Sequence, residues 1–597
     1  MQILKKFLYF LSPQEKRRAI FLIIMSLVMA IFEMIGVLSI MPFMAVLTNP
    51  EVIDNNIILK TVFLMSNRFG VETKQQFLFL MGIVVFVLLV FSLTLKAFTT
   101  FLQIRFTTFC QYNIARRLVE GYLHQPYSWF LNRNSADLGK TLLSEVGLVV
   151  SRGLGPTMNL VTQIFLIFSI LILLFLIDPV LTLIIGSTLG LTYGLIYKLT
   201  QGISARAGEE RLKAIRLLFT AVNEAFGAAK EVKVGGLEKV YTNRFSNPSK
   251  SLAKNSAMIG MISQLPRYLL EIILFGGMLL LILYLLAETG NFTSAVPIVA
   301  LYAYAGYRLM PSLQQLYLSI TSLRYVRPSV NSLYDDFKGL QTYNIEQSKD
   351  QLPFEKNITL KNIFYKYPNA ERHALKNVNF MIPSGSLIGI VGSTGCGKTT
   401  TVDIILGLIK AQQGNLEVDG KIVNEDNNKA WQRSLGYVPQ HIFLADDTVA
   451  ANIAFGIDPK NIDKKALENA SKIANLHEFV VNELPKQYET SIGERGVRLS
   501  GGQRQRIGIA RALYHRPRVL ILDEATSALD NITEKNVIKA LHKINKNITI
   551  IMIAHRLSTI KECKSILLLE KGELKQQGTF KELVKNNDLF NTDSYKN

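Results

Sequence analysis

Six apolar runs, each long enough to cross a lipid bilayer, crowd the N-terminal half of the chain: Ala19–Leu47, Phe77–Phe98, Pro156–Ile177, Pro179–Tyr197, Tyr268–Ala287 and Ala295–Ser319. A spanning helix takes about 20 mainly apolar residues. Inside hydrocarbon every backbone N–H and C=O has to be paired within the protein, so runs of this length are constrained to be helical. One continuous apolar stretch carries Asp178-Pro179 in its middle. Proline disfavours helix at the residue before it, so the stretch reads as two spans joined by a tight turn. Residues 1–330 are therefore expected to form an all-α, six-helix membrane domain. The run from Ala19 to Leu47 is too long for a cleavable signal and lacks a small-residue cleavage site after a short apolar core.

Charge orients these spans. The 597-residue chain has 66 Lys and Arg against 46 Asp and Glu, a net charge of +20. The surplus gathers beside the spans: Lys5, Lys6, Lys16, Arg17 and Arg18 at the start, Arg116, Arg117, Arg133 and Lys140 within Arg105–Arg152, and Arg206, Arg211, Lys213 and Arg216 among others within Lys198–Lys254. The turn at Asp178 and the loop Glu288–Ser294 carry neither Lys nor Arg, and Thr48–Gln76 is balanced. Positively charged loops stay on the cytoplasmic side, which puts both termini and the two long loops there. A surplus so placed argues for membrane lipids as the partner and against nucleic acid. The three cysteines have no paired spacing, so neither a disulfide framework nor a zinc site is expected.

The long loops read as helical extensions of the spans, since Leu212, Ile215, Leu218, Phe219 and Val222 recur at helical spacing. The outer segment Asn56–Gly70 is apolar but too short to span. It suits either an amphipathic helix on the membrane surface or a helix that caps the spans.

After a polar connector, residues 331–351, the pattern over 352–597 turns to α/β. The short apolar run Leu387–Val391 reads as a buried strand that feeds Gly392-Ser393-Thr394-Gly395-Cys396-Gly397-Lys398-Thr399, followed by a helix. Strand, glycine-rich loop and helix in that order make a P-loop, whose backbone amides and helix start hold phosphates. Lys398 is expected at the β- and γ-phosphates, the Thr399 hydroxyl on Mg²⁺, and Thr400 beside the phosphates. A second apolar strand, Val519–Leu522, ends in Asp523-Glu524. Asp523 suits the Mg²⁺ shell, and Glu524 suits a general base for the attacking water. Leu499-Ser500-Gly501-Gly502-Gln503 opens a further helix, a second anion-binding helix start with no phosphate of its own domain to hold. It is expected to serve a nucleotide held by another copy.

This ordered set resembles the ATP-binding cassette (ABC) exporter half-transporters, over nearly the whole chain: a membrane all-α domain followed by a cytosolic α/β P-loop ATPase. The resemblance implies that Tyr367 stacks on adenine, that Gln440 is the glutamine that senses Mg²⁺ and the membrane domain, and that His555 contacts the γ-phosphate. It implies that Glu494 belongs to an exporter-specific loop and that Ser527–Asp530 form the loop that meets the partner cassette. It implies that Asn134–Ser144 and Glu224–Lys239 rest on the ATPase domains. Two cassettes would close head to tail on ATP, and two intact sites make a homodimer sufficient.

The cargo is read from charges in or near the spans: Lys96, Arg267 and Arg308 are basic, Glu33 and Glu271 acidic. Arg267 and Glu271 are i,i+4 neighbours suited to pair with each other. Arg308 lies deepest, where an unpaired charge is costly, and no acid lies within a helical turn of it. Its counter-charge is expected from another helix, such as Glu33, or from an anionic headgroup, for which it is the best candidate. Pro266-Arg267-Tyr268, Tyr307–Pro311 and Asn56–Gly70 resemble the bacterial flippases of lipid-linked oligosaccharides. That resemblance implies a polyprenyl-pyrophosphate-linked glycan moved across the inner membrane; the alternatives are another lipid or hydrophobic compound, or a peptide.

Overall fold

Asp178 caps one helix by its side chain, accepting from Leu181 N at 3.0 Å, and Pro179 follows at the first helical position. The apolar stretch accordingly breaks there into Gly155–Ile177 and Pro179–Gly227. Ser12 starts Pro13–Leu38 in the same manner, with a reciprocal cap to Glu15, and Thr73 starts Lys74–Leu123 with one to Gln76. The computed structural model describes residues 2–289, 292–340, 351–368, 370–493, 496–526, 529–544, 548–553 and 560–586.

Among the described residues, five helical stretches are long and apolar enough to cross a membrane: Pro13–Thr48, Lys74–Leu123, Ser135–Ile177, Pro179–Gly227 and Glu238–Leu280. The sixth expected span falls in the 48-residue helix Phe292–Gly339. A 50-residue helix such as Lys74–Leu123 runs about 75 Å. Hydrocarbon is only about 30 Å thick, so more than half of that helix projects beyond it. Phe292–Gly339 also carries on through the first part of the segment expected to be a connector, because Val330, Leu333 and Phe337 continue its buried stripe. Helices Pro179–Gly227 and Phe292–Gly339 approach closely at Gly208, where an added Cβ would lie 2.1 Å from the Tyr325 carbonyl oxygen.

The outer segment forms Ile57–Ser66, capped by Asn56, whose side chain accepts from Ile58 N and Leu59 N. Both sequence readings are partly met. Leu59 buries against Val46, Ile53 and Phe77, which caps the spans, while Ile57 (84% exposed) and Ile58 leave an apolar face uncovered.

The chain divides into two compact units, Met1–Gln125 with Asn132–Tyr343, and Pro126–Leu131 with Asn344–Asn597. The short helix Tyr127–Leu131 thus goes with the second unit. Asn134–Ser144 belongs to the membrane unit: Ala136, Lys140 and Thr141 are buried there, and Asp137 pairs with Lys140 and Arg216.

The second unit holds two sheets. β1 (Asn357–Tyr365), β2 (Leu375–Pro383), β4 (Gln413–Val418) and β5 (Lys421–Ile422) form an antiparallel sheet in the order β2-β1-β4-β5. β3 (Leu387–Val391), β6 (Leu435–Val438), β7 (Val519–Asp523), β8 (Thr549–Ile553), β9 (Ser565–Glu570) and β10 (Glu573–Gly578) form the other, in the order β10-β9-β3-β8-β7-β6. All neighbours in it are parallel except β9 and β10. The fully buried β3, β7 and β8 pack on both faces, which is why they read as continuous apolar runs rather than alternating ones. On one face Trp431 is completely buried, and its indole N–H donates to the Ile405 carbonyl at 2.7 Å, at the end of the P-loop helix Lys398–Ile405. Trp431→Ala should cost about 3–5 kcal/mol through the cavity it leaves. The check is the thermal midpoint of the purified protein; an unshifted midpoint would show that the packing collapses around the gap.

Candidate functional site

The P-loop follows β3, Asp523 ends β7, and β8 lies between these two strands. Ligands of open parallel sheets bind beyond the carboxyl ends of the strands, so this topology brings the loop and the acidic pair to one edge. Three loop residues, Gly392, Gly395 and Gly397, have φ of 151°, 79° and 105°, a region open to glycine and costly for other residues. At Gly392 an added Cβ would meet the Leu569 carbonyl oxygen at 2.2 Å. Buried Lys398 curls back over the loop, its ammonium donating to the carbonyls of Gly392 (2.8 Å) and Ser393 (3.1 Å). Ser393, Thr394 and Thr399 are exposed, and Cys396 and Thr400 buried. Tyr367 is half-buried, its hydroxyl 3.2 Å from the Thr400 hydroxyl, which holds the ring beside the P-loop helix.

Gln440 donates through Nε2 to Glu524 Oε2 at 2.7 Å. Glu524 itself has φ 48°, a left-handed conformation that costs a non-glycine residue about 1–3 kcal/mol and tends to occur at active sites. Asp523 is buried, with the Tyr437 hydroxyl 3.5 Å from its Oδ2. Burial, and then the Asp523 charge, push the neighbouring Asp403 up to about 6. Asp523, Thr399 and Gln440 all carry oxygen atoms, the donor type that Mg²⁺ takes.

Ser500 caps the helix Gly501–Tyr514 and is closed in a reciprocal pair with Gln503, whose N–H donates to Ser500 Oγ at 3.2 Å. Ser500 is exposed at this helix start. Asp530 caps the helix Asn531–Ile544, and hydrogen bonds from Thr533 hold its carboxyl below the usual range. Glu494, Ser527 and His555 lie outside the described residues.

In the membrane unit Lys96 Nζ and Arg308 Nη1 both donate to one oxygen, Glu33 Oε1, each at 3.1 Å. Glu33 is 1% exposed, Arg308 11% and Lys96 35%. Tyr304, which sequence reasoning missed, accepts from Arg308 Nε (3.0 Å) and Nη2 (2.7 Å). Its signal was its i,i+4 spacing from Arg308. Arg267 is not part of this cluster: it is 52% exposed and paired with Glu271 at 3.0 Å.

The ABC transporter family profile matches residues 375–527, and the ABC transporter transmembrane region matches residues 18–312. The chain is 31% identical over 487 residues to an ATP-dependent lipid A-core flippase of Cupriavidus metallidurans, covering 79% of this chain and 80% of that one. The chain belongs to the ABC transporter family. It is an exporter half-transporter, with a multi-pass membrane domain and a cytosolic ATPase domain on one polypeptide, and it couples ATP hydrolysis to transport. A second lipid A-core flippase, from Haemophilus influenzae, is 28% identical over 547 residues, 90% of this chain and 91% of that one. The fold matches the solved structure of a bacterial Atm1-family ABC exporter with ATP bound, at a TM-score of 0.78 and 21% identity, over 96% of this chain and 97% of that one.

Glu524→Gln keeps the shape and an acceptor oxygen for Gln440 but removes the carboxylate. Hydrolysis by the purified half-transporter should fall by about 10²–10⁴-fold while ATP still binds. Near-normal turnover would remove Glu524 from the role of base.

Proposed function

We propose that this half-transporter acts as a homodimer in a bacterial inner membrane and flips a lipid-linked, polyprenyl-pyrophosphate oligosaccharide outward. The observation that carries this reading is the pair of cations, Lys96 and Arg308, on one buried carboxylate. Counted as charges, the cluster is +1, and a net charge inside the spans is costly unless an anion meets it. An anionic headgroup is such an anion. The likeness of residues 266–268, 307–311 and 56–70 to the oligosaccharide flippases supports the glycan; the names of the relatives support a lipid A-core instead. Both are lipids with large polar heads, and the choice between them is experimental.

For the motor, the proposed roles follow the geometry. Lys398, with Gly392–Thr400, holds the ATP phosphates, and Tyr367 holds the adenine. Thr399, Asp523 and Gln440 hold Mg²⁺, which supplies charge neutralisation at the phosphates. Glu524 takes the proton of the attacking water, oriented by its bond with Gln440. His555 is assigned to the γ-phosphate, and Ser500, Gly501, Gly502, Gln503 and Asp530 to the partner's nucleotide. ATP then favours the closed pair of cassettes, and hydrolysis releases them.

Two experiments test this. In proteoliposomes with defined lipids, the wild type should flip a lipid-linked oligosaccharide, and Arg308→Ala should flip it at least about tenfold more slowly, as loss of one charge contact implies. Flipping of lipid A-core alone would select the second reading. If Arg308→Ala unfolds and neutralising Glu33 restores it, the ion pair is structural. For the shared sites, a dimer with Lys398→Ala in one chain and Ser500→Ala in the other places both lesions in one composite site and leaves the other whole. It should outperform a dimer with both lesions in one chain; equal activities would refute sharing.

A further inference from the structure

We infer that Glu33 is an internal counter-anion with which the cargo's headgroup competes, and that it sets how tightly, and with what charge selectivity, the membrane domain holds an anionic lipid. The inference rests on the reading that Lys96 and Arg308 meet an anionic headgroup.

Three observations carry it. The first is stoichiometry: two cations from different helices, Lys74–Leu123 and Phe292–Gly339, converge on a carboxylate of a third, Pro13–Leu38, and both use the same oxygen. The second is an unmet acceptor. Glu33 Oε2 is buried and has no hydrogen-bond partner among the described residues, which is expensive for an ionised group. The third is unmet donors. An ammonium has three N–H groups and Lys96 directs one to Glu33; a guanidinium has five, and Arg308 directs one to Glu33 and two to the Tyr304 hydroxyl. A cluster that only held helices together would gain by using both carboxylate oxygens, one for each cation. The donors this one leaves unused are open to a second, acceptor-rich anion, and the idle Glu33 oxygen marks the carboxylate as the loosely held member that such an anion can displace.

The competition has a direction. When no headgroup is bound, Glu33 offsets the two cations and makes them tolerable in the spans. When one arrives, its charge and that of Glu33 have the same sign, so Glu33 opposes binding and favours release. A headgroup with several negative charges outcompetes one carboxylate on two cations; a headgroup with one charge gains much less. Glu33 is therefore a positioning and selectivity residue. A site without it would bind more tightly, discriminate less and turn over more slowly.

The test uses the full-length homodimer in nanodiscs, with ATPase stimulation as the readout and three probes of equal chain length: a polyprenyl diphosphate, a polyprenyl monophosphate and the neutral polyprenol. Glu33→Gln should lower the half-saturating diphosphate concentration by about tenfold or more, the effect of removing one close like charge, and narrow the preference for diphosphate over monophosphate. Its maximal stimulated rate should fall. Lys96→Gln should shift half-saturation the other way, and the double variant Glu33→Gln/Lys96→Gln, again +1, should return near the wild type. The double variant and Lys96→Gln keep the test decisive if Glu33→Gln alone does not fold. If the wild type prefers diphosphate and these variants leave half-saturation within about twofold, the role of Glu33 is wrong and the anionic-cargo reading stands. If the neutral polyprenol stimulates the wild type as well as the diphosphate does, or no probe stimulates it, the anionic-cargo reading falls and this inference falls with it.

Discussion

Hydrocarbon offers no hydrogen bonds to a bare peptide group, and that constraint organises the N-terminal half of this protein. Each span has to stay helical throughout, and side chains cap span starts, as at Asp178 and Thr73. Prolines 248, 266, 297, 311 and 328 sit inside helices that nevertheless continue past them. With apolar surfaces on all sides there is little hydrophobic force between helices. Polar nodes serve instead: Gln103 Nε2 meets Ser26 Oγ and Thr162 Oγ1, tying three helices, and the Tyr302 and Tyr317 hydroxyls reach Thr182 and Thr200.

The ATPase half solves a different problem, that of holding a highly charged ligand on a scaffold made mostly of apolar strands. Parallel strands buried on both faces leave polar groups only at their ends. The P-loop after β3 and the acidic pair after β7 are thereby set on the same edge, two strands apart. Strain collects there too: the left-handed glycines of the loop and the left-handed Glu524 are local costs, which the two packed cores on either face of the sheet sustain.

Local chemistry was legible in the sequence, and long-range pairing was not. The break at Asp178-Pro179, the spans and the strand–loop–helix order follow from residues a few positions apart. Asn134–Ser144 has the look of a short helix, and the burial of Ala136, Lys140 and Thr141 within the membrane unit comes from distant parts of the chain that local spacing does not show. Arg267 and Glu271 were readable as a pair because they share a helix face. Glu33 was readable as a counter-charge for Arg308 from another helix, 275 residues away, but that Lys96 shares the same oxygen is seen only once the helices pack.

Two ionic clusters in the membrane unit differ in their charge count. Arg211 and Glu145 form a one-to-one pair: Nη1 reaches both carboxylate oxygens at 3.2 and 3.3 Å, and Ser144 and Ser329 hydroxyls take up further donors. Such a pair is electrically closed, and removing either member would strand the other, so its role is to fix the helices that carry it. The Lys96–Glu33–Arg308 cluster is open by the same count, with a surplus positive charge, an idle carboxylate oxygen and idle donors. A protein gains nothing in stability from that arrangement over a closed pair. In the proposed cycle an anionic ligand uses the surplus charge and the idle donors for part of the time, and the one acid in the cluster would then limit how long that ligand stays.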